Sequence, residues 1–248
     1  MGKLIKKLII LTTIVFLWHL AVVIFRIPSY LFPSPILVYS SFWENKIAIF
    51  SNTLITLNET VIGFLIANLI SVSIALGIAF NKDLEDFIMP FAITLKTIPV
   101  IAITPLLVIW LGSGSSSKIA TAALICFFPS LVNVLRGVKS LDKDLIELFK
   151  VYSANKVQLA KMLIIPSIMP YLFAALKISS SLAVVGALVG EFIGANRGLG
   201  FLILSNYYNL NTPYVFACII VSSLTGIGFY YLIHFIEKKV VTWTVSVD

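Results

Sequence analysis

Six stretches of about twenty apolar residues limit what this chain can fold into. They lie at about 5–25, 54–80, 88–111, 118–136, 170–192 and 213–236. An α-helix needs about 20 such residues to cross a bilayer. Only helices or closed barrels can span lipid. These runs are continuous rather than alternating, which predicts helices. Composition agrees: 59% of the 248 residues are hydrophobic and 12% are charged, against about 25% charged in soluble domains. So few charges could not coat a water-exposed surface. The chain reads as an all-α integral membrane protein of about six transmembrane helices. Nothing in the segment lengths suggests a second domain, so residues 1–248 read as a single transmembrane domain.

The net charge of +7 would suggest nucleic acid in a soluble protein. In a membrane protein the placement of Lys and Arg matters more, because they stay on the cytoplasmic side. With the N-terminus inside, the inner segments hold twelve: Lys3, Lys6, Lys7, Lys82, Arg136, Lys139, Lys143, Lys150, Lys156, Lys161, Lys238 and Lys239. The outer segments hold four: Arg26, Lys46, Lys118 and Arg197. Both termini are therefore expected on the cytoplasmic side, with the lipid bilayer as partner and no nucleic acid. The basic head and apolar run of residues 1–25 resemble a signal peptide. The run is too long and no small-x-small site follows, so an uncleaved first span is expected.

Segment 141–166 interrupts this pattern. Leu145, Leu148, Phe149 and Tyr152 fall at i, i+3, i+4, i+7, the apolar stripe of a short helix. Asp142, Asp144, Glu147 and Lys150 take other faces. Ser153-Ala154-Asn155 breaks the periodicity. Asn155 can cap a second helix, with Gln158 three residues on as its capping-box partner. Pro166 is expected to end that helix and Pro170 to sit in the first turn of span five. Either this is a solvated linker between two spans, or it is an amphipathic element made to dock a cytoplasmic partner.

The segment resembles the EAA loop of ABC-importer permeases. That pattern runs Glu-Ala-Ala, three residues, Gly, nine residues, Ile-x-Leu-Pro. Glu147 takes the Glu, Leu148 and Phe149 replace the alanines, Ser153 stands for the Gly, and Leu163-x-Ile165-Pro166 closes the motif. "FPSPILV", "LKTIPVIAITPLLVIWLGSG", "FFPSLVNVLRGVKSLDKDLIE" and "LVGEFIGANRGLGFLI" resemble, in order, the nitrate/sulfonate/taurine branch of that family. The resemblance implies a type I ABC importer permease fold and a coupling loop over about 141–168. It implies a homodimer, two ABC ATPase subunits gripped by that loop, and an extracytoplasmic solute-binding protein. ATP and Mg would then belong to the partner ATPase, with no cofactor on this chain, and the setting would be the inner membrane of a prokaryote. ATPase-coupling residues would be Glu147, Leu148, Phe149, Tyr152, Ser153, Ala154, Leu163, Ile165 and Pro166. Nitrate, sulfonate or taurine-like anions are the first expected cargo; a pyrimidine precursor or another small solute is the alternative.

The chain shows no engine of its own. A P-loop needs G-x-x-x-x-G-K-[ST]; Gly112…Ser117-Lys118-Ile119 lacks the second glycine and the hydroxyl. His19 and His234 are isolated, no metal-ligand cluster or nucleophile elbow occurs, and Cys126 and Cys218 lie in apolar runs as packing residues. Polar groups inside the membrane are candidates for the translocation path, because burying them is expensive. Glu191 closes span five and could line a vestibule, bond the glycine-rich loop 193–212, or be a structural carboxylate. Lys177 and Lys96 are expected to snorkel; reaching the path, either would suit an anion. Ser180, Gly186 and Gly190 belong to a small-residue face of span five that either packs within the subunit or lines the pore. Asn58 and Glu59 are expected near the outer surface. Pro99, Pro105 and Pro129 predict kinks. An ion-driven carrier and a non-transporting scaffold are the rival functions.

Overall fold

The computed structural model describes residues 2–242 and is helical throughout its regular structure; the single-domain reading of 1–248 extends beyond these residues at both ends. Helices α1 (Gly2–Ile24), α2 (Pro35–Glu44) and α3 (Lys46–Phe80) open the chain. There follow α4 (Asp83–Thr97), α5 (Val100–Leu111), α6 (Ser115–Lys139) and α7 (Lys143–Val151). A short helix α8 (Lys156–Leu159) passes through a π-helical turn, Ala160–Ile164, into α9 (Ile165–Phe192). Helices α10 (Leu199–Tyr208) and α11 (Thr212–Val240) complete it.

Among the described residues, four helices are long and apolar enough to cross a membrane: α3, α6, the continuous 37-residue helix Lys156–Phe192, and α11. The expected third span is not one straight helix. It divides into α4 and α5, bent by 100°. Pro99 causes the break: it lacks the N–H needed to continue α4 and forces Ile98 into extended backbone, ψ 124°. Pro90, Pro105 and Pro129 stay inside their helices. In α1 the apolar helical part is Leu8–Ile24, shorter than the other spans. Trp18 ties it down, donating Nε1–H to Pro33 O at 3.0 Å and packing with Phe32 and Phe216.

The bundle is built on α3, α6 and α9. Lipid tails are as apolar as leucine, so helices in a bilayer associate through close packing and hydrogen bonds. Gly63 of α3 and Gly186 of α9 press on Ala122 of α6 from two sides. A methyl at Gly63 would stand 2.7 Å from Ala122 Cβ, and one at Gly186 would stand 2.6 Å from Ala122 Cα. Gly190 meets Lys118, and Gly137 meets the Tyr171 ring, in the same antiparallel register of α6 against α9. A polar layer crosses the bundle below this wedge. Ser130 donates to Asn68 Oδ1 at 2.8 Å, and Asn68 Nδ2 reaches Phe64 O at 2.7 Å and Ser179 Oγ at 3.3 Å.

Neither Pro166 nor Pro170 falls where the sequence suggested. Pro166 does not end the helix, and Pro170 lies inside α9. The π turn explains this: Ile165 N–H bonds Ala160 O, five residues back. The widened turn makes room ahead of the proline ring, which would otherwise meet the carbonyl four residues before it. Gly186→Val should cost about 2 kcal/mol and lower the Tm by about 5 °C in detergent. Gly228→Ala, with nothing within 4 Å of the added methyl, should leave the Tm unchanged.

Candidate functional site

The interruption at 141–166 folds into an elbow between α6 and α9. Asp142 Oδ1 accepts from the N–H of Asp144 at the start of α7. At the other end Ala154 N–H bonds Phe149 O at 3.0 Å, with Ser153 at φ +51°. This six-to-one bond over a left-handed residue is a Schellman cap, whose left-handed position favours glycine. That is the motif's glycine position, and Ser153 fills it at a steric cost of about 1 kcal/mol. Asn155 then caps α8: its Oδ1 accepts from Gln158 N–H at 2.9 Å, while Gln158 Oε1 accepts from Asn155 N–H at 2.8 Å.

The elbow leaves apolar side chains uncovered. Leu148 and Tyr152 are exposed, Tyr152 to 78%. Phe149, Ala154, Gln158 and Met162 join them around a hollow of about 380 Å³. Glu147 is exposed on α7. Leu163 is buried, whereas Ile165 is partly exposed and Pro166 half-buried at the elbow's base. The fold thus places Glu147, Leu148, Phe149, Tyr152, Ser153 and Ala154 on one protrusion, with Leu163, Ile165 and Pro166 anchoring it to α9.

A second constellation lies at the far end of α9. Glu191 is 1% exposed. Its Oε1 accepts from Thr56 Oγ1 at 2.6 Å and its Oε2 from Gly200 N–H at 2.5 Å. Thr56 Oγ1 also accepts from Leu199 N–H at 2.9 Å, and Asn52 Oδ1 accepts from Gly198 N–H at 2.6 Å. The first amides of α10, which have no partner within their own helix, are capped by side chains of α3 and α9. A carboxylate at a helix N-terminus is also favoured by the helix dipole. Gly198, at φ +105°, makes the turn into the cap. Of the roles open to Glu191, the geometry supports bonding the glycine-rich loop. Lys118 is not a free outer-loop charge: it is 1% exposed and its Nζ donates to Ser113 O at 2.6 Å, in the field of Glu59 and Glu191. Glu59, at the same end of the bundle, is buried, 4% exposed.

Among the path candidates, Gly186 and Gly190 sit at contacts with α6 inside the subunit. Ser180 is buried and donates to Lys177 O in its own helix. Lys177 pairs with Glu237 of α11, its Nζ 2.9 and 2.8 Å from the two carboxylate oxygens, and His234 Nδ1 lies 3.2 Å from the same carboxylate. Sequence reading passed over Asn52, Thr56, Gly198, Gly200 and the burial of Lys118. One signal was available. In α3, Asn52, Thr56, Glu59, Thr60 and Gly63 recur at helical spacing within an apolar run, and in lipid such a polar stripe faces protein.

The model of the binding-protein-dependent transport system inner membrane component family matches residues 61–242. The chain belongs to this family. It is 32% identical to the riboflavin transport system permease protein of Chloroflexus aurantiacus, over 92% of this chain and 86% of that protein. It is 36% identical to the formylaminopyrimidine transport permease protein of Halalkalibacterium halodurans, over 86% of each. It is 26% identical to a putative aliphatic sulfonates transport permease protein of Bacillus subtilis, over 98% of this chain and 89% of that one. Two solved structures share the fold. A crystal structure of an amino acid ABC transporter matches with TM-score 0.64 at 16% identity, covering 81% of this chain and 97% of that one. The inward-facing MetNI methionine ABC transporter matches with TM-score 0.59 at 20% identity, covering 84% and 96%.

Ser153→Gly should relieve the left-handed strain, about 1 kcal/mol, and slow amide exchange at Phe149–Ala154 about fivefold. Glu191→Ala should do the reverse at Leu199 and Gly200, whose amides should exchange at least about tenfold faster.

Proposed function

We propose that this chain forms the homodimeric pore of an ATP-driven importer. Two ATPase subunits grip it from the cytoplasm, and an extracytoplasmic binding protein delivers cargo to its outer face. Both termini lie on the cytoplasmic side of a prokaryotic inner membrane, as the Lys/Arg bias indicates. ATP hydrolysis is left to the partner, and the membrane subunit converts its closure into alternating access.

The observation that carries this reading is the elbow. An ordinary linker has no reason to hold Leu148, Phe149, Tyr152 and Met162 around an open hollow on the side where the basic residues gather. A groove rimmed by apolar side chains and bearing Glu147 suits a protein partner. The elbow is also mechanically continuous with the outer latch. Lys156–Phe192 is one helix of 37 residues, about 55 Å of rod at 1.5 Å per residue. One end carries the docking surface and the other carries Glu191, which holds α10. A push at the elbow is delivered to the outer cap without an intervening hinge loop.

Cargo is a small solute. Relatives named for riboflavin, a formylaminopyrimidine and aliphatic sulfonates show how widely one fold is used, so chemistry within the path must decide, and it favours an anion for the reason given below. An ion-driven carrier has no use for a docking elbow. Glu147→Lys should reduce co-purifying ATPase by at least about tenfold and bring ATP-driven uptake in proteoliposomes to background. Membrane insertion and Tm should stay as in the parent chain. ATPase retained at the parent level would remove the docking role, and uptake that persists without ATP would favour the ion-driven carrier.

A further inference from the structure

We propose that Lys96 places a fixed positive charge on the translocation path near the middle of the membrane, and that the cargo carries a negative group. The inference rests on the importer reading above. Its starting point is the depth of Lys96. Helix α4 runs antiparallel to α6, and two contacts set their register. At the inner end Glu85 pairs with Lys139. Eleven residues further along α4, and eleven back along α6, Lys96 Nζ lies 4.7 Å from the centre of the Phe128 ring. Eleven helical residues rise about 16 Å, roughly half the hydrocarbon thickness. The four-carbon stem of a lysine cannot snorkel back over that distance, and the ammonium rests on an aromatic face instead.

Lys96 also differs from the other lysines at membrane depth. Lys118 is buried beside Glu59 and Glu191 with its ammonium on Ser113 O. Lys177 is held by Glu237. Among the described residues, Lys96 has no carboxylate within salt-bridge distance, and it is exposed. It stands at the apex of the 100° break between α4 and α5, followed by the exposed Thr97 and Ile98. Beside the break, Leu95 of α4 and Leu107 of α5 edge an open hollow of about 590 Å³ whose remaining lining, including Ile66, Ala67, Ala123 and Phe127, comes from α3 and α6. An unpaired ammonium facing lipid at this depth costs about 3 kcal/mol. A helix that carries one at an exposed apex turns it towards water or a second subunit. In a homodimer around a central path both conditions hold together: two such apices face the path and give it a positive collar. A carboxylate, sulfonate or phosphate group is attracted there, whereas a cation is repelled.

The test uses the permease–ATPase complex in nanodiscs with Thr97→Cys as reporter, and the parent chain, whose two cysteines are buried, as background. Labelling rates are measured with two membrane-impermeant thiosulfonates, one bearing a sulfonate and one a trimethylammonium group. Both should label Thr97→Cys from water. The anionic-to-cationic rate ratio should fall about tenfold on adding Lys96→Gln, persist with Lys96→Arg, and fall with rising salt in the Thr97→Cys protein itself. Failure of both reagents to label would put the apex against lipid or protein and overturn the proposal. A ratio indifferent to Lys96→Gln and to salt would overturn the charge role. ATPase content of the same preparation is read separately, so loss of the importer reading is distinguishable from loss of the Lys96 assignment.

Discussion

Gly63 and Gly186 close on Ala122 from two sides and let the backbones of α3, α6 and α9 meet. In lipid the hydrophobic effect does not press helices together, so backbone approach and interhelical hydrogen bonds must hold them. The wedge brings α3, α6 and α9 close enough for Asn68, Ser130 and Ser179 to bond across the bundle. It also fixes the antiparallel register of α6 and α9 from Gly137–Tyr171 at one end to Lys118–Gly190 at the other. These two helices flank the elbow directly. Their register therefore determines where Glu147 and its apolar neighbours project, and where Glu191 arrives on the opposite side.

The elbow and the Glu191 cap lie at the two ends of one continuous helix, Lys156–Phe192. At the elbow a Schellman cap and a capping box replace the hydrogen bonds that α7 and α8 lack. At the far end the same need arises for α10, whose first amides would otherwise be unpaired in a buried site. Glu191, Thr56 and Asn52 meet that need from two other helices. In the importer proposed above, this long helix joins the docking elbow at one end to the α10 cap at the other and so couples an event at the elbow to that loop. The break at Ile98–Pro99 supplies the contrasting element: it is bent, and its exposed apex carries Lys96, which has no salt-bridge partner among the described residues.

Much of this was legible before the structure. Apolar run lengths placed the long helices, because lipid thickness sets a minimum that few other folds demand. The i, i+3, i+4, i+7 stripe and the Asn155/Gln158 pair placed both halves of the elbow, because caps and stripes act locally. The misplaced features depend on distant or cooperative geometry. Pro166 reads as a helix end in one dimension, but a π turn five residues long lets the helix continue through it. Lys118 reads as a loop charge because linear position does not show that it packs against Gly190 of α9 in the field of Glu59 and Glu191. Asn52 and Thr56 were ordinary polar residues until the chain brought Gly198 and Leu199 to them from more than 140 positions away. Lys96 was expected to snorkel because linear position does not show the register of α4 on α6, which sets Lys96 eleven residues beyond the Glu85–Lys139 pair and against the Phe128 ring.

In the proposed importer the elbow is a socket for an ATPase. Native mass spectrometry of the tagged chain, purified gently from its host membrane, tests this most directly. The account predicts an assembly with permease and ATPase in equal copy number, two of each. A permease that flies alone, under conditions in which a known ABC importer from the same membrane stays whole, would contradict it.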